Sequence, residues 1–267
     1  MTMQKDLLYT IPSHPLPTPT PLTDLLLRQV ERIRLQKRAE KYQFKEDRGG
    51  IAYIRKAVQT GNTVFDIGAH KGGYLYFFLQ QLQYNGAIYA FEPQSVLYQY
   101  LKKMQRLFNW QQVTIEPMAV SDRSGKAMLC VPYNGGRPSS PCATIIESKM
   151  AFDYQAREEV DTISLDTYCS TRQVAPDFLK VDVEGNELSV FTGAQKLLHT
   201  LKPRILFECE ARFVGEEKLW ETFRLLQQAQ YKGYFIMQNK LLPVSAFSIS
   251  RHQDPGAAVY CNNFIFE

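Results

Sequence analysis

From residue 50 onward, compact apolar runs alternate with segments whose apolar residues recur at helical spacing. TVFDIGA, AIYAFEP, VTIEPMAV, PDFLKVDVEG, RILFECE, YKGYFIMQ and NNFIFE have the length and composition of buried strands. GYLYFFLQQLQY, SVLYQYLKKMQRLF, ELSVFTGAQKLLHTL and EKLWETFRLLQQAQ, lying between them, read as helices, and IAYIRKAVQTG as a short helix stopped by Gly61. GKAMLCVPY and EEVDTISLDTY read as strands flanking an irregular stretch at 134–158. Strands that alternate with helices predict an α/β fold: a mostly parallel twisted sheet covered on both faces, here as one domain over 50–267. The last two strands lack an intervening helical pattern, which predicts an antiparallel strand at one edge.

Residues 1–49 read differently. IPSHPLPTPTP at 11–21 has a proline at every second or third position; proline fixes φ and removes backbone donors, so an extended, non-globular stretch is expected. A basic helix follows, with Leu26, Val30, Ile33 and Leu35 near helical spacing. It is expected to pack on the domain as a solvated helix, with contact to a membrane surface or an acidic partner as the alternative.

Composition narrows the class. The 267 residues are 45% hydrophobic and 22% charged, as in ordinary globular proteins, and the net charge of +4 is too small to imply nucleic acid by itself. No apolar run approaches the ~18 residues of a membrane span, and MTMQKDLLYTIPSHP shows neither the apolar h-region nor the small-residue cleavage site expected of a secretory signal. The five cysteines are scattered without a CxxC pair, which argues against a zinc site or disulfide framework and for a reduced, cytoplasmic protein.

In a doubly wound sheet, ligands bind beyond the carboxyl ends of the strands, where strand order reverses. Four strand ends here carry acids or glycines. In FDIGAHKGG, Gly68 permits a tight turn, and Gly72 and Gly73 let the next helix begin close to a ligand. The loop is D-x-G-x-x-x-G, not the G-x-G-x-x-G that cradles a pyrophosphate, which disfavours a nicotinamide oxidoreductase. Asp66 suits a cationic ligand, and Gly68, Ala69, His70 and Gly72 complete the candidate loop. Glu92 ends the second strand 92 − 66 = 26 positions later, where an acid can accept hydrogen bonds from both ribose hydroxyls; the competing reading is an acid at a helix N-terminus. Met118, Ala119 and Val120 are candidates to line a base, or else core.

The blocks VFDIGAHKGGY, YAFEPQ, PMAVSDRSGKAML, VDTISLDTY, DFLKVDVEGNELSVFTGAQKLL and LKPRILFECE, in that order over about 60–267, resemble the FkbM family of methyltransferases. His70 departs from the asparagine the family often has there. The resemblance implies a Rossmann-like class I methyltransferase fold and S-adenosyl-L-methionine as donor. It also implies a hydroxyl acceptor on a sugar, polyketide or other secondary metabolite. An RNA methyltransferase is the alternative, disfavoured because the strand end reads D-V-E-G and not [DN]-P-P-[YF].

A hydroxyl acceptor loses a proton, so a base or a metal assists. Asp182 and Glu184 lie two apart at a strand end, which predicts a shared face: Asp182 beside Asp66, bordering donor and acceptor, and Glu184 toward the acceptor as catalytic base. Asp182 with Glu208 or Glu210 would offer hard oxygens to magnesium, a possibility not favoured here. The stretch 134–158 reads as an acceptor-side lid. The acceptor's identity and the oligomeric state stay open.

Overall fold

The computed structural model describes residues 21–134, 137–138, 143–145, 154–256 and 259–267. The Pro-rich stretch up to residue 20 and most of the expected lid lie outside them.

The main sheet has eight strands. Its parallel part runs β3 (Val113–Glu116), β2 (Ala87–Phe91), β1 (Thr63–Ile67), β8 (Phe178–Val181), β9 (Arg204–Glu208). Strand order therefore reverses between β1 and β8. Beyond β9 come β12 (Asn263–Phe266), β10 (Gly233–Met237) and β11 (Lys240–Pro243), each antiparallel to its neighbours. The expected antiparallel edge is present but larger: β11 was not foreseen, and β12 inserts between β9 and β10. A short helix, α10 (Ile249–His252), also stands between β10 and β12.

Side-chain alternation divides the core. Phe65, Ile67, Leu179, Val181 and Phe207 face a layer that includes Phe191, Leu198 and Phe223. These come from α6 (Glu187–Thr192), α7 (Gln195–Thr200) and α9 (Glu216–Gln228). Val64, Ile88, Leu206 and Ile265 face the other layer, with Ile54 of α2 (Arg48–Ala57), Phe78 of α3 (Gly73–Leu82) and Leu101 of α4 (Ser95–Phe108). Each fully buried Leu, Ile or Phe contributes roughly 1.5–3 kcal/mol relative to exposure, so both faces of the sheet are strongly held.

Three elements differ from the periodicity reading. VTIEPMAV splits at Pro117, which cannot donate to a ladder; β4 (Met118–Val120) leaves the main sheet and pairs with β7 (Tyr154–Ile163). A second sheet results, in the order β4, β7, β5 (Gly125–Asn134), β6 (Arg137–Pro138). SLDTY is not strand but the start of α5 (Leu165–Arg172), because the Ser164 hydroxyl accepts from Thr167 N and caps it. ELSVFTGAQKLLHTL is two helices, α6 and α7, broken at Gly193, where a Cβ would sit 2.2 Å from the Ser121 carbonyl. The short helix α2 ends at Ala57, before Gly61.

The basic N-terminal helix is α1 (Pro21–Lys41), continued by one π-helical turn over Tyr42–Glu46. Its packed side is Glu31, Leu35 and Ala39; Leu26, Val30 and Ile33, grouped with Leu35 by spacing alone, are exposed. Tyr42 anchors the junction, filling the space over the start of α3, where a Cβ at Gly73 would meet its ring at 2.5 Å. No described helix is long and apolar enough to cross a membrane.

Candidate active site

A cavity of about 560 Å³ opens over the carboxyl ends of β1, β2 and β8, within the ~300–1,000 Å³ typical of small-molecule sites. Its floor is the loop after β1. Gly68 and Ala69 donate to the Phe91 carbonyl at 3.0 Å, and Asp182 N donates to the Ile67 carbonyl at 2.9 Å, which ties three strand ends together. Gly68 has φ +83, and a Cβ there would lie 1.8 Å from the Asp182 carbonyl. Only glycine lets the loop pass this close to the end of β8.

Glu92 stands on the cavity wall at the end of β2, with Oε2 accepting from His70 N at 2.8 Å and Oε1 from Gln94 N at 2.9 Å. Burial pushes its carboxyl up to about 7 against the pull of those two amides. Met118, Ala119 and Val120 form an apolar wall with Leu129 and Ile145. His70 also lines the cavity; burial, aided by Lys71, lowers it to about 4, so the imidazole is neutral.

Asp66 and Gly72 occupy other positions. Asp66 pairs in register with Lys180 and shares the face of Val64 that packs under α2 and α3, so it lies beneath the loop and not on the cavity wall. Gly72, at φ +74, is the N-cap of α3. Both Asp66 oxygens are buried without a hydrogen-bond partner, and burial raises the carboxyl to about 7 although Lys180 pulls it down.

Asp182 and Glu184 both line the cavity, but not through strand alternation. β8 stops at Val181, and Glu184 adopts a left-handed φ of +55 ahead of Gly185 at +104. A turn, not a pleat, aims Glu184; a non-glycine residue held in this region stores strain of the kind that collects at functional sites. Glu208 and Glu210 lie off the cavity. Glu208 accepts from Asn262 at 2.6 Å, and Glu210 accepts from Tyr260 at 2.6 Å and pairs with Arg212. Among the described residues, no three His, Cys, Asp or Glu side chains are arranged to hold a metal ion.

Residues 66–236 match the model of the methyltransferase FkbM domain. The chain belongs to the FkbM methyltransferase family. Methyltransferase FkbM from Methylobacillus flagellatus KT is a similar solved structure, with 15% identity and a TM-score of 0.51. The match covers 91% of this chain but only 61% of that one. A SAM-dependent methyltransferase from Aquifex aeolicus is 12% identical over 87% of this chain and 95% of that one, at a TM-score of 0.45. Aeropyrum pernix fibrillarin, in complex with natively bound S-adenosyl-L-methionine, is 12% identical over 81% and 72%, at 0.43. Such likeness concerns the fold, which is Rossmann-like. No curated protein sequence matches the chain.

In this FkbM-family protein the sequence reading missed two features of the site. The first is the wall contributed by α1: Lys37, Arg38, Lys41 and Tyr42 line the cavity, and Arg38 donates to the Lys71 carbonyl at 2.5 Å. No motif marks these residues. The second is Lys180, fully buried in an all-buried strand, with Nζ 3.3 Å from Asp182 Oδ2 and 4.4 Å above the Tyr74 ring. Asp47, Asp66, Asp182 and Glu208 all hold its charge in place against burial. The signal was legible: a lysine inside the apolar run FLKV, in register beside Asp66, requires carboxylates around it.

Proposed function

We propose that this protein methylates a hydroxyl group of a small molecule, a sugar, polyketide or other secondary metabolite, using S-adenosyl-L-methionine as donor. The observation that carries the reading is Glu92. Its carboxylate is fixed by two backbone amides on the wall of a cavity whose floor admits only glycine at position 68. One amide on each carboxylate oxygen leaves both oxygens able to accept a further hydrogen bond, one from each of two ribose hydroxyls. The apolar wall of Met118, Ala119 and Val120 suits an adenine, and Arg38 with Lys41 suits a carboxylate. Cys130, Cys169 and Cys261 stand outside disulfides, which fits a cytoplasmic enzyme.

When bound, the donor supplies an electrophilic methyl group whose transfer is an in-line displacement: the acceptor oxygen–carbon bond forms as the carbon–sulfur bond breaks. The protein's part is alignment and proton removal. Glu184, on the cavity wall, takes the hydroxyl proton, and Asp182, ion-paired to Lys180, orients both reactants at the switch point. Asp66 acts from beneath the loop through Lys180.

Calorimetry on the folded protein should show binding of S-adenosyl-L-methionine and of its demethylated product, and poor binding of NAD. Absence of both sulfur ligands would remove the reading. Glu92→Ala should weaken donor binding by about 1–3 kcal/mol, since two hydroxyls lose a charged acceptor; unchanged affinity would reassign Glu92 to holding the loop. Donor affinity should also depend on pH. The carboxyl must be ionised to accept both hydroxyls, so affinity falls as pH drops through about 7, approaching tenfold per unit below it. Titrations from acid to mildly alkaline pH check the slope, which Glu92→Gln should flatten.

A further inference from the structure

The cavity sorts its charges by the elements that carry them. Glu92, Asp182 and Glu184 follow the ends of β2 and β8, whereas Lys37, Arg38 and Lys71 come from α1 and the loop after β1. Arg38 is held in place: its guanidinium donates to the Lys71 carbonyl at 2.5 Å and lies 5.6 Å from the centre of the Tyr100 ring on α4. That bond joins α1 to the loop. Lys37, next to Arg38 in the chain, and Lys71 therefore belong to one stretch of the cavity wall. Their field reaches inward, since after burial it is Lys71, and more weakly Arg38, that helps to keep the His70 imidazole neutral.

The acids of the cavity do not offset these cations. Glu46 pairs with Lys41, Asp182 pairs with Lys180 at 3.3 Å, and Glu92 accepts from two amides. Among the described residues, no acid is ion-paired with Lys37, Arg38 or Lys71. Like charges gathered at a cavity without a counter-ion of the protein's own draw an anion into it. The methyl donor supplies one: S-adenosyl-L-methionine carries a single carboxylate, together with an ammonium and a sulfonium. A guanidinium matches a carboxylate with a planar fork, as an ammonium does not. Arg38 is therefore the partner for the donor's carboxylate, and two lysines remain.

We propose that the methyl acceptor carries an anionic group, a carboxylate or a phosphate, which Lys37 and Lys71 receive beside the donor. The inference rests on the methyl-transfer reading and narrows it: among sugars, polyketides and other secondary metabolites, the acceptor is an acid or a phosphate ester. Anchoring a group remote from the reacting hydroxyl orients that hydroxyl toward the methyl carbon without touching the reacting atoms.

The test is calorimetry on the full chain saturated with S-adenosyl-L-homocysteine, titrated with inorganic phosphate and, separately, with acetate. At least one anion should bind, and the tighter of the two names the group the acceptor carries. Lys37→Gln with Lys71→Gln should weaken that binding at least ~10-fold, the worth of one charge-assisted hydrogen bond. Affinity for S-adenosyl-L-homocysteine and the melting temperature should stay as they were, because neither lysine is ion-paired within the described protein. Lys37→Arg with Lys71→Arg keeps the charges and should keep the anion. Saturation by S-adenosyl-L-homocysteine without binding of either anion, or anion binding that the glutamine variant leaves intact, overturns the proposal. Failure of S-adenosyl-L-homocysteine itself to bind, read in the first titration, strikes the donor reading instead. Tight, salt-sensitive binding of a single-stranded RNA that the glutamine variant abolishes would assign the lysines to a nucleic-acid backbone and also overturn the proposal.

Discussion

Lys180→Met should cost about 3–5 kcal/mol of folding stability near pH 8, the largest effect expected of any single substitution outside the apolar core. Lys180 is the cation around which Asp47, Asp66, Asp182 and Glu208 are arranged. Methionine fills a similar volume but leaves buried carboxylates facing one another. Ordinarily a carboxyl whose folded pKa is raised makes the folded state bind its proton more tightly than the unfolded chain does. Stability from such a group is gained as pH falls through the folded value and lost as pH rises through it. Asp66 sits at about 7 even with Lys180 present; without it, the carboxyl moves higher still. The deficit of Lys180→Met should therefore shrink between pH 8 and pH 5, as protons replace the missing cation. Urea unfolding of both proteins across that range measures it. A pH-independent loss would mean that Lys180 contributes packing and not charge. Donor binding by the surviving folded fraction should also weaken, because Asp182 loses its partner 3.3 Å away.

Glu184→Gln should leave donor binding nearly intact and lower turnover by roughly 10²–10⁴-fold, the usual worth of a positioned base. Glutamine keeps the shape and removes the charge, and the left-handed φ of +55 is imposed equally on both residues. Asp182→Asn should instead damage donor binding and turnover together, since the residue lines the cavity and its carboxylate is the partner of Lys180. Single-turnover kinetics on an accepted hydroxyl substrate, with donor titration alongside, separate the two. Unchanged turnover in Glu184→Gln would assign the proton to another group, and normal donor affinity in Asp182→Asn would move that residue away from the donor. A chelator that abolished activity, reversed by magnesium, would make the acids metal ligands instead.

The sequence determined the class of fold by itself. Buried parallel strands must be apolar on both faces, and crossover helices must show a 3.6-residue period, so their alternation is written into residues 63–237 in a form that survives without coordinates. Glu92 and the Gly68 loop were legible for the same reason: each is local, one residue or one turn past the end of a strand. Elements broken by a single residue were harder to read. Pro117 and Gly193 act through what they meet in space, a second sheet in one case and the Ser121 carbonyl in the other.

Only the tertiary structure decided which side of each element faces the site. Strand alternation turned Asp66 away from the cavity and toward Lys180, and a left-handed turn beyond the last strand residue aimed Glu184 into it. It also placed α1, remote in sequence and outside every motif, as a wall of the cavity. Spacing says that Leu26, Val30, Ile33 and Leu35 belong to one helix. It does not say which of them is buried, because a helix with apolar residues on two sides has two candidate faces. The packing of Glu31, Leu35 and Ala39 against the domain chose one face and left the other to solvent.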